Sequence, residues 1–121
     1  MINDQRRENV DERLCGTKVR WLGPDGLRIC FFEDGSDFDG NDFDYIYSLD
    51  GVHAKRFYEM ISNRVEGNDP EEAAIKEWLV DHVDCSGIGL DLKAEWIRRG
   101  LHGTVHVHED YPGGIDRTET F

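Results

Sequence analysis

At Asp50 the hydrophobic period of this 121-residue chain changes. Ahead of it, Phe43, Tyr45, Tyr47 and Leu49 alternate with Asp42, Asp44, Ile46 and Ser48, the period of two that marks a half-buried strand. Behind it, Ala54, Phe57, Tyr58, Ile61 and Val65 recur at helical spacing, with Asp50 placed to cap the first turn. Strands first and helices after direct a chain to an α+β fold: a small antiparallel sheet with helices packed on one face.

The rest of the chain agrees. Residues 17–22 and 27–32 are β-type runs, with Val19 and Trp21 on one face and Leu27, Ile29 and Phe31 on another. Gly23-Pro24-Asp25-Gly26 lies between them, and Pro24 presets the turn of a hairpin. Asp69-Pro70-Glu71-Glu72 is a helix start, with Asp69 as cap and Pro70 at the first helical position. Ile75, Trp78, Leu79 and Val83 give that helix its apolar stripe. After Cys85-Ser86-Gly87-Ile88-Gly89 a third helix is expected, with Leu90, Ala94, Ile97 and Leu101 in a stripe, Trp96 beside it and Gly100 as its stop. Residues 104–108 read as a last strand with Val105 and Val107 inward. The expected order is β-β-β-α-α-α-β. Residues 15–111 form one domain, residues 1–14 a polar arm or short helix, and residues 112–121 a frayed tail.

Charge narrows the class of partner. The chain carries 14 Lys and Arg against 26 Asp and Glu, for a net charge of -12. Between Arg28 and Lys55 there is no Lys or Arg, and the interval holds Glu33, Asp34, Asp37, Asp39, Asp42, Asp44 and Asp50. Such a run repels itself, so it is either a solvated segment or a face held for a partner. Nucleic acid and anionic membranes need basic surfaces and are disfavoured as direct partners. A basic protein is the partner this field steers. No apolar run approaches the ~20 residues of a membrane span. Cys15, Cys30 and Cys85 leave one thiol unpaired in any disulfide scheme, which places the chain in a reducing compartment, the cytoplasm.

Catalytic signatures are missing. No nucleophile elbow, Walker loop or dinucleotide-binding glycine pattern occurs. Gly87-Ile88-Gly89 before a helix could offer amides to an anion, but no Lys directly follows the glycines as in a phosphate-binding loop. Asp37-Phe38-Asp39-Gly40-Asn41-Asp42 offers hard oxygen ligands. The EF-hand pattern fails, with Asp42 where its Gly belongs and Ser48 where its Glu belongs. His102, Thr104, His106, His108 and Asp110 fall at even spacing, which puts them on one strand face. Tyr111 follows where metallo-β-lactamase-like hydrolases continue their H-x-H-x-D zinc motif with another His. A polar outer face, with no metal or cofactor, is therefore the favoured reading of that strand. The alternative is a small metal-binding domain or metal-dependent enzyme that uses it.

The reading that remains is an acidic protein-binding module. Its composition resembles that of immunity, antirestriction and anti-CRISPR proteins. The likeness implies a stoichiometric inhibitor that caps a basic, nucleic-acid-handling partner. Asp34, Asp37, Asp39, Asp42 and Asp44 are the expected partner-binding residues.

Overall fold

The computed structural model describes residues 10, 12–21, 26–33, 42–62 and 72–121. The strands are β1 (Lys18–Trp21), β2 (Gly26–Glu33), β3 (Phe43–Asp50), β4 (Thr104–Glu109) and β5 (Asp116–Thr120). The helices are α1 (Gly51–Ser62), α2 (Glu72–His82) and α3 (Leu90–Arg98), inserted between β3 and β4. The strands form one antiparallel sheet in the order β1-β2-β3-β4-β5. The class and the expected order of the first seven elements hold. The expected turn at 23–25, Val65, the cap at Asp69-Pro70 and the acidic segment 34–41 lie outside the described residues, as does the side chain of Trp21.

Alternation sorts the sheet into two faces. Val19, Leu27, Ile29, Phe31, Tyr47, Leu49, Val105 and Val107 point inward and are buried. Against them pack Ala54, Phe57, Tyr58 and Ile61 of α1, Ile75, Trp78 and Leu79 of α2, and Leu92 and Trp96 of α3. Phe57 is the hub, with edge-on contacts to Trp78 at 4.9 Å and Trp96 at 5.6 Å between ring centroids. Such geometry adds to area burial because the positive ring edge meets the negative face. Leu14 is buried too, and Val10 packs against the core in part.

Two expectations are corrected. The third helix is rotated from its expected register: Leu92 and Trp96 are fully buried, whereas Leu90 is 61% and Ile97 47% exposed. The dominant side chain decides. Burying Trp96 removes far more apolar surface than burying Ile97, and the two lie about 100° apart on a helix. Gly100 stops the helix as expected, with φ +76°. Its amide donates to the Ile97 carbonyl at 3.0 Å and the Leu101 amide donates to that of Trp96 at 2.8 Å, the two bonds of a Schellman motif.

The second correction concerns residues 112–121. Asp116–Thr120 is no tail but an edge strand paired with β4. Every residue of β5 is exposed, so its sequence shows no apolar alternation. Its partner strand and the Pro112-Gly113-Gly114 turn supply the order instead. Phe121, just beyond it, stacks on Trp96 at 6.2 Å.

Candidate functional site

On the sheet face turned away from the helices, every described side chain is half-buried or exposed. Strand register arranges this face in three rows. Arg20, Arg28, Ser48, Thr104 and Thr120 form one. Lys18, Cys30, Ile46, His106 and Thr118 form the next. Phe32, Asp44, His108 and Asp116 form the third. The face is therefore polarised, with Arg20 and Arg28 toward one end and Asp44, His108 and Asp116 toward the other.

The acidic end is built by two connections. The β2–β3 and β4–β5 links leave the sheet at the same end, because Glu33, Phe43 and Glu109 are register partners there. Asp110 donates its amide to the Asp42 carbonyl at 2.8 Å, tying the two connections together. Glu33, Asp42, Asp44, Glu109, Asp110 and Asp116 thus collect at one end of the sheet. Of the expected partner-binding residues, Asp42 and Asp44 lie in this cluster, both half-buried. Asp34, Asp37 and Asp39 lie outside the described residues. The contribution of Glu109, Asp110 and Asp116 escaped sequence reasoning, because only the strand pairing brings residues 109–116 beside residues 42–44.

Two side chains report the local field. The Tyr45 hydroxyl donates to Glu33 Oε2 at 3.0 Å. Partial burial, then that hydrogen bond and the Glu33 charge, raise the tyrosine pKa against the opposing pull of Arg117. The Cys30 thiol lies 3.8 Å from Asp44 Oδ1, and burial followed by the Asp44 charge pushes its pKa up despite Lys18. Cys15, Gly16, Lys18, Cys30, Phe32 and Asp44 line a hollow of about 210 Å³ on this face. A thiol held protonated by burial and a neighbouring carboxylate is a poor nucleophile.

The histidines divide. His106 and His108 stand two residues apart on β4 and share the outer face, with Asp116 of β5 reaching both. His106 Nε2 is 2.7 Å and His108 Nδ1 3.8 Å from Asp116 Oδ1. His102 leaves the set: its amide donates to His53 Nδ1 at 3.2 Å, and the two rings meet edge-on at 5.4 Å. Asp110, the expected carboxylate of the strand, is not among the residues that cluster with the histidines. The carboxylate comes from the next strand instead. Gly87-Ile88-Gly89 is a packing joint: the Tyr47 hydroxyl donates to the Ile88 carbonyl at 2.9 Å, and Gly89 lies against the Phe31 and Tyr47 rings.

No protein-family model, curated protein or solved structure matches the chain. Among the described residues, no helix is long and apolar enough to cross a membrane.

Proposed function

We propose that this protein is an acidic binding module that caps a basic, nucleic-acid-handling protein as a stoichiometric inhibitor. The observation that carries the reading is the convergence of carboxylates from two separate connections at one end of the sheet. A rigid sheet end that gathers like charges is poorly explained by solubility alone, since dispersed acids serve solubility with less self-repulsion. Carboxylates held at strand spacing can complement the Lys and Arg array with which a partner grips phosphates. The three free thiols support a reducing compartment, and we place the protein in the cytoplasm.

The test begins with capture from extracts of the native host, at low and at high salt. A basic protein retained at low salt is then purified, and its association kinetics are measured against the wild type and against a variant with Asp37, Asp39, Asp42 and Asp44 all replaced by Asn. Salt and the fourfold variant should both slow association and relieve inhibition of the partner's nucleic-acid activity. An on-rate indifferent to both, or the absence of any basic partner, would reduce the acidity to a solubility device.

A further inference from the structure

The geometry points to a zinc site on the outer face of the β4–β5 hairpin, with His106, His108 and Asp116 as its three protein ligands. The site shares Asp116 with the acidic end of the sheet, but its test does not depend on the inhibitor reading. One ligand atom from each residue lies within 4.8 Å of the other two. A tetrahedral zinc ion with bonds of about 2.0–2.2 Å spaces its ligand atoms by roughly 3.4 Å. The Asp116 oxygen sits at 2.7 Å from one imidazole and 3.8 Å from the other, on either side of that spacing. All three side chains are partly or well exposed, so small rotations suffice to close on an ion.

The register explains why the three meet. His106 and His108 share a face by the period of two, Asp116 is the cross-strand partner of His108, and Thr118 is that of His106. Thr118 carries a second, independent part of the design. Its Oγ1 lies 2.7 Å from His106 Nδ1. Without an ion, the 2.7 Å contact has His106 Nε2–H donating to Asp116. With zinc bound, Nδ1–H would donate to the Thr118 hydroxyl and free the Nε2 lone pair, on the side that faces Asp116, for the metal. An oriented imidazole with a hydrogen-bonded far nitrogen is the usual support of a metal-bound histidine.

Two imidazoles and one carboxylate are borderline donors that suit zinc, whereas calcium and magnesium prefer oxygen alone. Three protein ligands leave a fourth position for water or for a donor from another molecule. Bound zinc would also clamp β5, which is exposed along its whole length, to β4.

The test is calorimetric titration of Zn²⁺ into the full chain, free of tag and stripped of metal. We expect one ion per chain. His106→Ala, His108→Ala and Asp116→Asn should each weaken binding at least tenfold. Thr118→Val should weaken it about tenfold through the lost orientation, and Thr118→Ser should restore it. Co²⁺ in place of zinc should give a visible spectrum without thiolate charge transfer, and Cys15→Ser with Cys30→Ser should leave affinity unchanged. In the unaltered chain, Co²⁺ should shift the ring protons of His106 and His108, which checks the site even where a variant fails to fold. Absence of saturable binding, affinity indifferent to all three ligand variants, or a thiolate band lost with the cysteines would each overturn the assignment.

Discussion

Cys85 shows how burial sets the chemistry of a single side chain. It is buried beside Thr17, whose hydroxyl donates to the Cys85 carbonyl at 3.2 Å. Burial, then the charges of Cys15 and Asp84, push its thiol pKa up to about 11 from 9.0. The folded chain therefore keeps this proton to higher pH than the unfolded chain does. The Cys85 contribution to stability falls as pH rises from about 9 and levels off above about 11. Cys85→Ala should flatten that part of the pH–stability curve relative to wild type, measured by urea unfolding at a series of pH values. At neutral pH a thiol reagent should modify exposed Cys15 first and Cys85 last. A wild-type slope between pH 9 and 11 that Cys85→Ala leaves unchanged would assign the alkaline loss elsewhere, Tyr47 being the next candidate since burial raises its pKa to about 12. Gly89 makes the complementary point about shape. Its φ is +87°, and a Cβ there would stand 2.8 Å from the Phe31 ring. A sequence reader sees a glycine ahead of a helix and thinks of anions; the fold needs it for close packing.

Among the helices, α2 and α3 differ in how well their sequences declare their faces. Ile75 is fully buried in α2, while Ile97 on α3 is 47% exposed. Ile75→Ala should cost about 2–5 kcal/mol in denaturant unfolding. Ile97→Ala should stay near the ~0.5 kcal/mol range of surface substitutions. Equal costs at both sites would mean that α3 is turned toward its sequence-expected face. In α2, Ile75, Trp78 and Leu79 define one stripe, so periodicity alone found it. Over α3, two overlapping stripes compete, and the indole decides between them only once a pocket beside Phe57 exists. The strands were legible for the same reason as α2: Tyr47 and Leu49, or Ile29 and Phe31, alternate cleanly. β5 was not, because Arg117 and Glu119 on one face and Asp116, Thr118 and Thr120 on the other leave no apolar signal. Missing β5 also hid the candidate site. The two histidines could be read from their spacing, but their carboxylate arrives only through strand pairing.

For the whole molecule, the net charge of -12 acts in opposite directions on folding and on binding. Self-repulsion opposes the compact state, and repulsion is strongest where carboxylates are gathered, as at the β2–β3 and β4–β5 end of the sheet. Raising ionic strength from 0.01 M to 1 M shortens the screening length from about 30 Å to about 3 Å. Sodium chloride should therefore raise the melting temperature over this range, even as it slows association with a basic partner. Screening is not the only effect of salt, since apolar burial also responds to solution conditions. The variant with Asp37, Asp39, Asp42 and Asp44 replaced by Asn separates the two. It removes four like charges while Asn keeps the shape and turn chemistry of Asp. If repulsion at this end is real, the variant should melt higher than wild type at low salt and gain less from added salt, the two curves converging near 1 M. Parallel curves would show that salt acts through burial and that the acids are spaced too widely to repel. The first outcome would mean that the chain gives up stability to keep its carboxylates together, as expected of a surface held for a partner and not of one that only keeps the protein in solution.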